Sequence, residues 1–174
     1  MNMALFVICG KQDTGKTHTT WLIYNLLNNM GTLKEFEPKG EKPLSWDEVI
    51  QHMRDSYAGI KDKNILNFRA VFDYNGKRIA LISAGDFLEK DTPGWEVVSF
   101  KHCMAWAAQN EVDHIICCSR YNITDGGVRK YLLQNYKLHI YRWYFKTRIY
   151  DIEAQIAEAQ RIAIEVFTDI KRDC

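Results

Sequence analysis

The apolar positions of this chain fall in short blocks whose spacing changes from one block to the next. Ala4-Leu5-Phe6-Val7-Ile8-Cys9 is a continuous apolar run, the pattern of a strand buried on both faces of a sheet. Gly10 punctuates it. A helical pattern follows from Gly15 to about Met30, with Trp21, Leu22, Leu26, Leu27 and Met30 as its apolar stripe and Gly31 as its stop. Lys34 to Asn64 is the most charged stretch and contains Pro38 and Pro43. Within it Ser45-Trp46-Asp47-Glu48 has the form of a capping box ahead of a short helix. This stretch is too short for a core of its own and reads as a variable excursion.

The runs Phe68 to Asp73 and Arg78 to Ser83 flank Tyr74-Asn75-Gly76-Lys77, and Asn-Gly between two strand-like runs predicts a hairpin. Ala84-Gly85-Asp86 turns the chain out of the second strand. A helix is expected from about Gly94 to Gln109, with Trp95, Val98, Met104 and Trp106 among its apolar positions. His114 to Cys118 reads as another buried strand ending at Ser119-Arg120. Asp125-Gly126-Gly127 is a turn, Val128 to Asn135 a short helix, and Leu138 to Phe145 a final strand. Asp151 to Ile170 is a long amphipathic helix, with acids in its first turn and Lys171-Arg172 at its end, as the helix dipole favours. Strands alternating with helices predict one α/β domain over residues 1-174. Its sheet is mostly parallel, with helices on both faces in three Rossmann-like layers and one inserted antiparallel hairpin. Such sheets bind ligands at the carboxyl ends of their strands, so motifs that follow a strand gain weight.

Bulk properties narrow the partners. Lysine and arginine number 23 against 22 acids, so no global field marks nucleic acid or a membrane surface as an obligate partner. No segment approaches the roughly 18 apolar residues of a membrane span. Met1 to Cys9 lacks the basic start of a signal peptide, and the expectation is a cytoplasmic protein. Five cysteines, Cys9, Cys103, Cys117, Cys118 and Cys174, show no zinc-like spacing, and three of them sit in apolar runs as small hydrophobes. The histidines His18, His52, His102, His114 and His139 have no ligand spacing either.

Gly10-Lys11-Gln12-Asp13-Thr14-Gly15-Lys16-Thr17 satisfies GxxxxGK[ST] between a buried strand and a helix. The spacing has a chemical reason. The loop wraps backbone amides around phosphate oxygens, the glycines allow the close approach, and the helix that follows offers its positive end. On this motif the chain resembles the P-loop NTPase superfamily. That resemblance implies a nucleoside triphosphate, ATP in preference to GTP, bound with Mg2+. Residues Gly10 to Thr17 and His18 would lie at the nucleotide, Lys16 on the β- and γ-phosphates, and Thr17 on the metal.

Such a site needs an acid near Mg2+, carried at the end of a neighbouring strand. Asp86 is the candidate second metal ligand and Gly85 a candidate amide donor to the γ-phosphate, although Ser83-Ala84-Gly85 separates Asp86 from its apolar run. The plainer reading of Asp86 is a helix cap. A hairpin feeding a glycine turn is similar to the approach to the second switch of GTPases, but the guanine-specifying Asn-Lys-x-Asp is missing. Lys11 occupies the position of the signature lysine in ATPases with a deviant phosphate loop, which reach a partner's phosphates across a dimer; a solvated loop lysine is the alternative. An oligomer is left open. Arg120, at a strand end, is a candidate for stabilising transferred phosphoryl charge or for bridging to Asp125. Lys146 and Arg148, beyond the last strand, are candidates for base or ribose contacts or plain surface residues. Three functions share these residues: an NTPase or nucleotide-dependent switch, a small nucleoside, nucleotide or small-molecule kinase whose acceptor is held by Lys34 to Lys63 and Arg120, and a non-hydrolysing module that binds nucleotide as a sensor or assembly cofactor, with a protein as the other candidate partner.

Overall fold

The computed structural model describes residues 3–11, 14–60, 65–89, 96–122 and 127–173. Expectations at Gln12, Asp13, Lys63, Asn64, Gly94, Trp95, Asp125, Gly126 and Cys174 lie outside these residues. Six strands form one sheet: β1 (Ala4–Cys9), β2 (Thr32–Glu37), β3 (Arg69–Tyr74), β4 (Lys77–Ile82), β5 (His114–Ser119) and β6 (Ile140–Phe145). Their spatial order is β2–β3–β4–β5–β1–β6. β4, β5, β1 and β6 run parallel, and β3 is antiparallel to both β2 and β4. The protein is therefore an α/β fold with a mostly parallel sheet. Four parallel strands deliver their carboxyl ends to one edge, where Gly10, the Ser83–Asp86 turn, Arg120 and Lys146 follow them.

Alternation along β1 divides the core between the two faces of the sheet. Phe6 and Ile8 pack under α1 (Lys16–Met30), α2 (Trp46–Tyr57) and α5 (Ile152–Asp173). Leu5 and Val7 face the layer of α3 (Phe100–Gln109) and α4 (Val128–Asn135). Helix α1 is buried on more than one side: Trp21, Leu22, Ile23 and Tyr24 are all covered, because α2 and α5 close over the face turned away from the sheet. Met30, assigned to its stripe from spacing alone, is exposed. The Trp21 ring stacks on Phe68 at 3.9 Å and its indole N–H donates to the Leu66 carbonyl at 2.9 Å, which meets the polar demand of a buried tryptophan.

Local chemistry explains where the elements begin and turn. Ser45 Oγ accepts from the Glu48 amide while the Glu48 carboxylate accepts from the Ser45 amide, so the expected capping box starts α2. Asn75 and Gly76 take positive φ angles of 49° and 73°, the backbone that a tight hairpin turn between β3 and β4 requires. One strand departs from expectation. The excursion after α1 opens with β2, an edge strand whose charged residues Lys34, Glu35 and Glu37 hide the strand signal. The antiparallel part of the sheet is thus three strands, not an isolated hairpin. Helix α3 begins at Phe100, later than the spacing suggested.

Candidate functional site

The exit of β1 is clamped from both sides. The Gly10 amide donates to the Ser119 carbonyl at 3.1 Å, the Tyr121 amide to the Gly10 carbonyl at 3.2 Å, and the Lys146 amide to the Cys9 carbonyl at 2.8 Å. Within the loop, Thr14 Oγ1 donates to the Lys11 carbonyl at 2.7 Å. A Cβ at Gly10 would stand 2.5 Å from that hydroxyl oxygen, so the loop closes this tightly only on glycine. Gly15 sits at φ 81°, a backbone that other residues adopt at a cost. It is also the first residue of the α1 cap, so no side chain caps the first-turn amides of that helix. No side chain neutralises the positive end of α1: Gly15 offers none, and the first turn holds no acid.

Lys16 is buried, and its ammonium donates to the Gly10 and Lys11 carbonyls at 3.0 Å each. The same Nζ lies 3.8 Å from Asp86 Oδ1. Arg120 Nε donates to that carboxylate oxygen at 3.0 Å, so two cations from different strand ends meet one acid. Arg120 therefore bridges to Asp86 across the strand ends. The strand preceding Asp86 is not the neighbour of β1, as expected from the chain, because β5 lies between β1 and β4. The turn after β4 leans back across β5 to bring Asp86 to the loop. Gly85 makes this possible: a Cβ there would meet the Cys118 carbonyl carbon at 2.6 Å and its oxygen at 2.7 Å.

A cavity of about 320 Å³ opens from these groups. Gly15, Lys16, Thr17 and His18 form its floor, and Ser83, Gly85, Asp86 and Asn67 border it on the β3–β4 side. Met53, Ser56 and Tyr57 of α2 and Gln155 of α5 complete it. Thr17 and Asp86 thus line the same space and present the hard oxygen donors that Mg2+ prefers. Among the described residues no group of three or more His, Cys, Asp or Glu side chains could hold a metal. A magnesium ion here would take its remaining ligands from phosphate and water. Lys11 is exposed; its carbonyl, not its ammonium, is tied into the loop.

Two features escaped the reading of the chain. His18 and His52 are paired, Nε2 to Nδ1 at 3.0 Å, and Ser56 Oγ lies 3.3 Å from the same His52 nitrogen. Burial, reinforced by His52 and Lys146, pushes the His18 pKa down to about 3. Lys146 is not a surface residue. Its side chain passes beneath the loop, with Cβ 3.2 Å from a Cβ placed on Gly10 and Nζ 4.0 Å from one placed on Gly15. The side chain is only 1% exposed, and its ammonium pairs with Glu158 Oε1 of α5 at 3.3 Å. Desolvation lowers its pKa, with Glu158 working in the opposite direction. The signal for this burial was absent from the chain because it depends on α5 returning over the end of β6.

Gly15, buried Lys16, Thr17 and Asp86 thus line one cavity at the carboxyl edge of the sheet, and Arg120 reaches that group through Asp86. No helix among the described residues is long and apolar enough to cross a membrane. Set beside protein-family models, curated proteins and solved structures, the chain matches none of them.

Proposed function

We propose that the chain is a P-loop protein that binds a nucleoside triphosphate, ATP in preference to GTP, and hydrolyses it with Mg2+. The observation that carries this reading is the meeting of Lys16 and Arg120 on Asp86 beside a glycine-closed loop whose helix is uncapped. On binding, Lys16 exchanges its two loop carbonyls for β- and γ-phosphate oxygens, and the first-turn amides of α1 take the remaining charge. Thr17 and Asp86 would hold Mg2+, which supplies charge neutralisation across the two phosphates. Released from Lys16, Asp86 keeps its orientation through Arg120. In the reaction a water oxygen bonds to the γ-phosphorus, the bond to the bridging oxygen breaks, and both of the water's protons leave with the phosphate as H2PO4−, which gives up one to solvent at neutral pH. Arg120, which reaches the site through Asp86, is the candidate to stabilise the developing charge.

The test is phosphate release from Mg-ATP by the purified chain. The wild type is expected to release phosphate, and Lys16→Ala and Asp86→Asn to lose at least about 100-fold in rate, the scale seen when one preorganised charge-stabilising group is removed. Release that survives Asp86→Asn unchanged would refute the role given to that acid.

A further inference from the structure

The groups that handle phosphate occupy only one part of the cavity. Among the described residues, Lys16 and Asp86 are the lining groups charged at neutral pH: Met53, Tyr57 and Ile65 are apolar or aromatic, and Ser56, Asn67 and Gln155 are neutral hydrogen-bonding residues. His18 in the floor is held neutral. Phosphate-sized ligands would leave this region unfilled, and a charged one would find no counter-ion among its described residues. An aromatic side chain with a few convergent neutral polar groups is the chemistry of a site for an uncharged ring-bearing ligand, and the whole cavity, phosphate end included, measures about 320 Å³, at the lower end of the range for small-molecule and cofactor sites.

Resting on the proposed function, we infer that this part of the cavity, between the first turn of α1 and the last turn of α2, holds the nucleoside of the bound triphosphate. The base stacks against Tyr57, with Met53 beneath it and Ser56, Asn67 and Gln155 offered to its edge and to the ribose. Tyr57 is 58% exposed, so its ring presents accessible surface for stacking. Its helix is tied directly to the loop helix through the His18–His52 bond, so the base site and the phosphate site move together. A second aromatic group at this edge of the sheet is already engaged. The Arg129 guanidinium lies 5.1 Å from the Tyr121 ring centroid, 5.3 Å from Trp143 and 5.9 Å from Phe145.

Calorimetric titration with Mg-ATP and with Mg-tripolyphosphate separates the two halves of the site. Wild type is expected to bind ATP more tightly than tripolyphosphate. Tyr57→Ala should weaken ATP by about 5- to 150-fold, the span of one lost base–aromatic stack, and leave tripolyphosphate unchanged. Ser56→Trp, which fills the cavity, should reduce ATP to the tripolyphosphate level. Tyr121→Ala should change neither. ATP affinity unaltered in both cavity variants overturns the inference, as does a loss confined to Tyr121→Ala. Failure of wild type to bind even tripolyphosphate would instead overturn the phosphate site, and the nucleoside site falls with it.

Discussion

Acid should loosen this protein in a way that one histidine controls. The facing ring nitrogens of His18 and His52 are 3.0 Å apart, a distance that requires one N–H and one lone pair. Protonating both rings would set N–H against N–H, beside the cation Lys146. His18 accordingly has a folded pKa of about 3, whereas the unfolded chain holds it near 6.5. The sign follows from linkage: between these values the unfolded chain binds the extra proton, so the stability this neutral ring contributes is complete above 6.5 and is lost as the pH falls toward 3. At about pH 4.5, two units below the unfolded value, the loss approaches 2.7 kcal/mol at 1.36 kcal/mol per unit. The ring borders the cavity and solvent relieves part of this, which leaves roughly 2 kcal/mol. His18→Gln can still hydrogen-bond His52 and has no proton to gain. Urea unfolding of both proteins at about pH 7.5 and about pH 4.5 isolates the effect. The wild-type midpoint should fall further than that of the variant by about 1 M, given a slope of about 2 kcal/mol/M. Equal falls in the two proteins would refute the reasoning.

Gly85→Ala drives a Cβ to within 2.7 Å of the Cys118 backbone in the middle of the sheet, and should cost about 1–3 kcal/mol in urea unfolding together with a weaker Mg-dependent affinity for ATP. A change below about 0.5 kcal/mol would show that the turn has room to spare. Lys146→Met removes the cation from a buried pair at 3.3 Å, worth about 5 kcal/mol by Coulomb's law at an effective dielectric of 20. Stranding Glu158 should therefore destabilise by about 3–5 kcal/mol, while Lys146→Met with Glu158→Leu recovers most of the loss. If the double variant is no more stable than the single one, the charge pair is not what holds the loop from below. Arg120→Ala should lower the rate of phosphate release more than the affinity for ATP, measured on the same samples; an equal effect on both would make Arg120 a binding group only.

Much of the architecture was legible because each signal was local. The Asn75-Gly76 turn, the Ser45–Glu48 capping box and the continuous apolar runs of β1 and β5 depend on neighbours within a few residues. The break between β1 and α1 was legible for the same reason: Gly10 follows the strand directly and Gly15, at φ 81°, starts the helix. What stayed hidden depends on tertiary contact. Strand β2 draws its stability from pairing with β3 and has charged side chains at an edge, so its composition resembles a loop. The placement of Asp86 needed the order of strands, which local patterns do not encode; β5, which comes later in the chain, inserts between β1 and β4. The burial of Lys146 and the His18–His52 pair required knowing that α5 and α2 flank the start of α1.

The central claim is that Gly10 to Thr17 cradles the phosphates of a nucleotide, and calorimetric titration with ATP and GTP in Mg2+, on wild type and Lys16→Ala, tests it most directly. The account predicts saturable binding to wild type, with ATP the tighter of the two, and loss of that binding in a Lys16→Ala protein that remains folded. Absence of binding to wild type, or binding that Lys16→Ala leaves intact, would contradict it.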